Sequence, residues 1–130
     1  MKVSILIVED DPALNEAYEM ILQTAGYHTY TALNGQEALE LIEAEDVSPD
    51  IILLDLRMPV LDGIGFLRKY RPSLHPTTTV VVFGNYDAHG DIEEAYKLGA
   101  HRYILKARAA PKELLHLVEG IASEKVHTTK

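Results

Sequence analysis

The strongest constraint on the fold is the alternation of short apolar runs with longer segments of helical periodicity. The runs at Val3–Val8, Ile51–Leu54 and Thr79–Phe83 have strand length and are almost wholly apolar, as in strands covered on both faces. Two further strands are predicted at His28–Ala32 and His101–Leu105. This alternation predicts an α/β fold, with a doubly wound, five-stranded parallel sheet and five helices covering both its faces.

The helix boundaries carry recognisable start and stop signals. Pro12 suits the first turn of a helix, where its missing N–H has no partner to lose, and Gly26 ends the same helix. Asn34 is a good cap for a second helix running through Ala44. The other helices are predicted at Gly63–Tyr70, from about Ala88 to Leu98, and from Pro111 to about Lys125. We therefore predict one domain over residues 1–125 and a tail over 126–130.

Composition excludes several classes of function. The chain has no cysteine, which rules out disulfides, thiolate metal sites and cysteine nucleophiles. Its net charge of −8 argues against nucleic-acid binding by this chain, because phosphates are neutralised by clustered Lys and Arg. No apolar run approaches the roughly 20 residues needed to span a bilayer, and the apolar N-terminus is too short for a signal peptide. We expect a cytoplasmic protein with no membrane partner.

Charged residues follow three of the predicted strands. Glu9 and Asp10 come after the first strand, Asp55 ends the third and Lys106 follows the fifth. In doubly wound sheets, ligands bind beyond the carboxyl ends of the strands, where the strand order reverses. Carboxylates that converge there repel one another unless a hard divalent cation joins them, and a lysine beside such a cation indicates a phosphoryl ligand.

Three segments are distinctive in combination. They are Glu9-Asp10, the run Asp55-Leu56-Arg57-Met58-Pro59-Val60-Leu61-Asp62-Gly63, and Tyr103-Ile104-Leu105-Lys106. In this order and spacing they resemble the receiver domains of two-component response regulators. The run from Asp55 to Gly63 is the most specific part, and the resemblance covers essentially the whole chain. It implies a CheY-like, flavodoxin-like sheet with strand order 2-1-3-4-5.

The resemblance also implies roles for individual residues. Asp55 is expected to be the phosphoacceptor, a carboxylate that attacks phosphohistidine on a histidine kinase or a histidine phosphotransfer protein. Asp10 is expected to bind Mg²⁺ or Mn²⁺ directly, Glu9 through water and Arg57 through its backbone carbonyl, with Asp55 as a further ligand. Lys106, the second catalytic residue, is expected to contact the phosphoryl oxygens.

The chain departs from the family pattern at two positions. Gly84 stands where relatives usually have Thr or Ser, whose hydroxyl bonds the phosphoryl group. Together with Tyr103, which matches an aromatic that rotates inward on activation, it forms the predicted switch. Ala107 stands where most relatives have Pro after a cis peptide bond. A cis bond before alanine costs roughly 3 kcal/mol, so we expect either a trans bond with an altered loop or a strained cis bond.

Several of these residues also have purely structural interpretations. Glu9 and Asp10 could cap the first helix, a role we predict for Asp11. Asp62 and Gly63 are expected to shape the turn after the third strand. Tyr86 and Arg57 are expected to flank the pocket, and the histidines, which show no metal-binding spacing, are expected to lie at the surface.

Three functions compete. The first is a phosphorylatable signalling module that performs only its own phosphorylation and slow autodephosphorylation, with output through the fourth helix, fifth strand and fifth helix. The second, favoured by Gly84 and Ala107, is an interaction module that works without phosphorylation. The third, a magnesium-dependent phosphatase, is disfavoured because Arg57 occupies the position of that enzyme's second aspartate.

Overall fold

A computed structural model describes residues 2–85 and 89–128, with side chains through Lys125. All five strands are parallel and lie in the order β2-β1-β3-β4-β5, which confirms the predicted topology. The strands are β1 (Ser4–Val8), β2 (His28–Ala32), β3 (Ile51–Asp55), β4 (Thr79–Gly84) and β5 (Arg102–Leu105).

Five α-helices connect and follow the strands. They are α1 (Pro12–Thr24), α2 (Gly35–Glu45), α3 (Gly63–Tyr70), α4 (His89–Lys97) and α5 (Pro111–Thr128). The helix α5 continues to Thr128, beyond its predicted end near Lys125. The predicted positions of Tyr86 and Ala88 lie outside the described residues. None of the described helices is both long and apolar enough to cross a bilayer.

The strands separate two hydrophobic cores, because successive side chains of a strand point to opposite faces. One core contains Leu6, Ile52 and Val80 and is covered by α2, α3 and α4. The other contains Ile5 and Ile51, neighbours of those residues in the chain, and is covered by α1 and α5. The almost continuous apolar runs of the sequence therefore fill two cores at once.

Side-chain caps fix the starts of α1 and α2. Asp11 Oδ1 accepts hydrogen bonds from the backbone N–H groups of Ala13 and Leu14 at 3.0 and 3.3 Å, as predicted for α1. Asn34 Oδ1 accepts from the N–H of Glu37 at 2.9 Å, which confirms the predicted cap of α2. Each cap satisfies a donor that the helix itself leaves unpaired.

The register of the sheet aligns the carboxyl ends of its central strands. Val8 lies opposite Leu54, and Asp55 lies opposite Phe83. The residues that follow β1, β3 and β5 therefore emerge on one edge of the sheet. The strand order reverses at this edge, between β1 and β3, which is where a doubly wound sheet binds ligands.

Candidate functional site

Three carboxylates meet at the carboxyl edge of the sheet. Glu9 and Asp10 follow β1 and Asp55 ends β3, and one oxygen from each lies within 4.8 Å of the others. Glu9 and Asp55 are buried, with 0% and 2% of their surfaces exposed, whereas Asp10 is half-buried. We call these three residues the acidic cluster. The adjacency of β1 and β3 produces it, as the topology predicted.

Lys106 brings one positive charge to the acidic cluster. Its Nζ lies 2.8 Å from Asp55 Oδ2 and 3.3 Å from Glu9 Oε1. β4 separates β5 from β3, so the length of the lysine side chain is needed to reach the aspartate. If all groups were ionised, three carboxylates and one ammonium would leave a formal charge of −2 (−3 + 1).

The electrostatics of the cluster follow from burial. Burial raises the pKa of Glu9 from 4.5 to about 7; a hydrogen bond from the N–H of Asp11 opposes this rise and the charge of Asp55 adds to it. Burial also raises the pKa of Asp55, although the hydrogen bond and the charge of Lys106 partly offset the effect. For Lys106, burial lowers the pKa, but its interactions with Asp55 and Glu9 outweigh burial and the net pKa is raised. One lysine therefore does not fully compensate the two buried carboxylates.

The donor set fits a hard divalent cation. Glu9 Oε2 accepts the N–H of Asp11 at 3.0 Å. Its other oxygen, Oε1, is buried and accepts no hydrogen bond within the described structure, although the Lys106 ammonium approaches it. A buried oxygen without a hydrogen bond, beside two further carboxylates, offers the all-oxygen coordination that Mg²⁺ prefers. Glu9, Asp10 and Asp55 would hold such an ion.

The predicted fourth ligand, Arg57, lies beside the cluster. Its backbone N–H donates to Asp55 Oδ1 at 3.3 Å, and its exposed side chain pairs with Asp91, with Nε 3.8 Å from Oδ2. These contacts place the residue next to Asp55. The role of its carbonyl as a metal ligand stays a prediction.

Comparison with known proteins identifies the family. The model of the response regulator receiver domain matches residues 5–119. The chain belongs to the receiver domains. It is therefore a component of two-component signalling, whose receiver domains are phosphorylated by histidine kinases and generally bind Mg²⁺ through acidic residues.

Relatives of this receiver domain include longer and similarly sized proteins. It is 36% identical over 105 residues to the regulatory protein AtoC of Escherichia coli K12, covering 78% of this chain but only 22% of AtoC. It is 31% identical over 106 residues to sporulation initiation phosphotransferase F of Bacillus subtilis 168, covering 82% and 83% of the two chains. A CheY-like receiver domain from Methanospirillum hungatei JF-1 superimposes with a TM-score of 0.85, at 27% identity and 98% coverage of both chains.

Two residues contact the backbone of the acidic cluster in this receiver domain. Asn15 is buried, and its amide donates to the carbonyls of Glu9 and Ala32 at 3.0 and 2.9 Å, which ties α1 to β1 and β2. A Cβ atom at Gly63 would lie 2.7 Å from the carbonyl oxygen of Asp55, so this position requires glycine. Asn15 was not among the residues predicted from the sequence; its signal there is a polar residue on the apolar stripe of α1.

The predicted switch residues are in contact. Gly84 is the buried last residue of β4, and the hydroxyl of Tyr103 donates to its carbonyl at 3.3 Å. No described peptide bond is cis, so the Lys106–Ala107 bond is trans and leads into a 3-10 turn at Lys106–Arg108. The structure therefore has the trans bond of the first predicted alternative.

Proposed function

We propose that Asp55 accepts a phosphoryl group from a phosphohistidine of a histidine kinase or a histidine phosphotransfer protein. The observation that carries this proposal is the 2.8 Å contact between Lys106 Nζ and Asp55 Oδ2 inside the acidic cluster. A nucleophilic carboxylate, a cation for the phosphoryl oxygens and oxygen ligands for a metal occur together there. Positioning and charge compensation are the main requirements of phosphoryl transfer.

The reaction forms one bond and breaks one. A carboxylate oxygen of Asp55 attacks phosphorus, and the P–N bond of the donor breaks, so that its electron pair returns to the imidazole nitrogen. Lys106, already beside Asp55, then faces the phosphoryl oxygens and offsets their charge. Mg²⁺ or Mn²⁺, held by Glu9, Asp10 and Asp55 with the Arg57 carbonyl, would supply further positive charge to the phosphoryl group.

This activity is self-modification, without turnover of a separate substrate. Slow autodephosphorylation would return Asp55 to its free form. A phosphatase would need a general acid two residues after the nucleophile, and Arg57 stands there with its side chain directed to Asp91. The downstream surface is proposed to be the face of α4, β5 and α5. On that face Tyr96 is 47% exposed, and an Arg102–Glu124 ion pair at 2.9 Å joins β5 to α5.

One observation favours a second function, a receiver-like interaction module that works without phosphorylation. Gly84 has no hydroxyl to bond a phosphoryl group at the end of β4, and its carbonyl already accepts a hydrogen bond from Tyr103. A module of this kind would bind its partner equally well when Asp55 is changed to Ala.

Intact mass spectrometry tests the proposal. Wild type, Asp55→Asn and Asp91→Asn would each be incubated with Mg²⁺ and a small acyl-phosphate donor. Asp91 is an exposed aspartate outside the acidic cluster, which makes it a matched control. We expect one phosphoryl adduct on wild type and on Asp91→Asn, and none on Asp55→Asn or after addition of a chelator. If wild type acquires no adduct from this donor or from a panel of histidine kinases, the interaction module is the better account.

A further inference from the structure

The loop that carries Lys106 has little restraint of its own. Residues 106–110 connect β5 to α5 and contain the 3-10 turn, which the N–H of Ala109 closes on the carbonyl of Lys106 at 3.0 Å. Ala107 follows the lysine, and alanine leaves its own φ angle free where proline would lock it. Ala107 and Arg108 are exposed, whereas Ala109 is 2% exposed. Among residues 106–110, Ala109 is therefore the one buried against the rest of the molecule.

Tyr18 of α1 makes that contact. Its hydroxyl donates to the carbonyl of Ala109 at 2.6 Å, between residues 91 positions apart in the chain. The side chain is fully buried, and its ring centroid lies 6.1 Å from that of Phe83 near the end of β4. Burial, followed by the charges of Glu9 and Asp55, raises the pKa of Tyr18, so the hydroxyl stays protonated and remains a donor throughout the neutral range.

The same helix is attached to the acidic cluster. The Asn15 amide donates to the carbonyl of Glu9, and the N–H of Asp11 donates to the Glu9 carboxylate. Asn15 and Tyr18 are three residues apart, so they lie on the same side of α1. One side of α1 therefore holds the carboxylates through Asn15 and the lysine loop through Tyr18, at a separation set by a single helical turn.

We propose that Tyr18 is a positioning residue that places the Lys106 ammonium against Asp55 by holding the carbonyl of Ala109. Its effect on the rate of phosphoryl transfer rests on the proposed function of Asp55. Its effect on the position of the lysine does not. The Tyr18 hydroxyl, which lies outside the loop, restrains the loop backbone through the carbonyl of Ala109. Ala107, within the loop, does not restrain the backbone as a proline would.

The competing explanation is that Tyr18 only fills the core between α1, β4 and α5. Phenylalanine would fill that space equally well, so Tyr18→Phe separates the two explanations. Tyr70→Phe is a matched control. Tyr70 is 5% exposed and belongs to the core on the opposite side of the sheet, near Thr78 and away from Lys106.

The first experiment measures the position of the lysine without phosphorylation. Metal-free wild type, Tyr18→Phe and Tyr70→Phe would be treated with a limiting amine-acylating reagent, and labelling of each lysine would be measured by peptide mass spectrometry. The exposed Lys69 and Lys97 are internal references. We expect a severalfold increase in Lys106 labelling in Tyr18→Phe alone, because a released loop lets the ammonium leave its carboxylates. Unchanged Lys106 labelling in Tyr18→Phe, with a lowered melting temperature, would overturn the proposal in favour of simple packing.

The second experiment measures the consequence for phosphoryl transfer. Tyr18→Phe should slow adduct formation by about fivefold, the effect of losing one hydrogen bond. The slowing should disappear in a Lys106→Ala background, where no lysine remains to be placed. An equal slowing in both backgrounds would contradict the positioning role. Absence of any adduct on wild type would refute the proposed function, and the labelling result would still decide the role of Tyr18.

Discussion

The amino edge and the carboxyl edge of the sheet both carry buried or half-buried polar groups. The two edges differ in how far hydrogen bonds within the fold satisfy these groups. At the amino edge, Asp50 Oδ2 accepts the backbone N–H of Ser4 at 2.8 Å and its hydroxyl at 3.2 Å. Beside them, the Thr78 hydroxyl donates to the carbonyl of Pro49 at 2.6 Å. At the carboxyl edge, Glu9 Oε1 is buried and accepts no hydrogen bond from the part of the chain that the structure describes, and its carboxylate lies beside those of Asp10 and Asp55.

This difference separates structural polar groups from functional ones. Burial of a polar group is costly unless a partner within the fold offsets the cost, and Asp50 has such partners in the N–H and hydroxyl of Ser4. Within the described residues, the acidic cluster retains an oxygen that accepts no hydrogen bond, Glu9 Oε1, and excess negative charge, which a ligand from outside the chain would satisfy. Among the buried carboxylates that the structure describes, the one with an oxygen that accepts no hydrogen bond therefore marks the site.

The largest expected effect comes from removing one carboxylate at each edge. Asp10→Ala should weaken Mg²⁺ binding by at least about tenfold, because it removes a ligand oxygen. Asp50→Ala should leave Mg²⁺ affinity unchanged but lower the free energy of unfolding by about 1–3 kcal/mol, because it strips the Ser4 N–H of its acceptor. Calorimetric metal titration and urea unfolding of both variants measure this contrast. Equal losses of Mg²⁺ affinity in the two variants would remove the distinction between the edges.

A smaller effect is expected from adding one methyl group near each edge. Gly63→Ala places a Cβ 2.7 Å from the Asp55 carbonyl, and Gly99→Ala, at φ +110°, places one 2.9 Å from Pro72 Cβ. Both should lower the free energy of unfolding, by roughly 1–3 kcal/mol for the overpacked Gly63→Ala. Only Gly63→Ala should slow phosphorylation of Asp55. Mass spectrometry under the same conditions measures the rate in both variants. The comparison would fail if Gly99→Ala slowed the phosphorylation of Asp55 as much as Gly63→Ala did.

The smallest effect is expected from pH. Because the pKa of Glu9 is raised to about 7 in the folded protein from 4.5, the folded state binds the proton more tightly than the unfolded state. The contribution of Glu9 to stability is therefore present in full below pH 4.5 and is lost as pH rises through 7. Metal-free urea unfolding at pH 5.5 and pH 8 should show this loss, and Mg²⁺ should reverse it at pH 8. Glu9→Gln is the control, and a loss that persists in that variant would assign it to another group.

Much of the architecture could be read from local patterns in the chain. The strand of His28–Ala32 and the helix of Gly63–Tyr70 have the predicted bounds, and Asp11 and Asn34 cap their helices as predicted. These features depend on side-chain periodicity and on hydrogen bonds between residues a few positions apart. Helix ends were harder to place, as α5 shows by continuing to Thr128, because nothing in its last turn marks a stop.

The sequence by itself determined the doubly wound alternation of strands and helices, and through its resemblance to receiver domains it implied the strand order that brings Glu9, Asp10 and Asp55 to one edge. It also placed Lys106 at the end of the strand from which the ammonium reaches them. Strand order converts these local positions into neighbours, so no long-range contact had to be known.

Only the tertiary structure decided how these residues are held. The hydrogen bonds of Asn15 to the carbonyls of Glu9 and Ala32, and the reach of the Tyr18 hydroxyl to Ala109, both depend on the packing of α1 against the sheet and α5. A tyrosine on an apolar stripe looks in sequence like any core residue. The partner of its hydroxyl lies 91 residues away, and only the folded chain brings the two together.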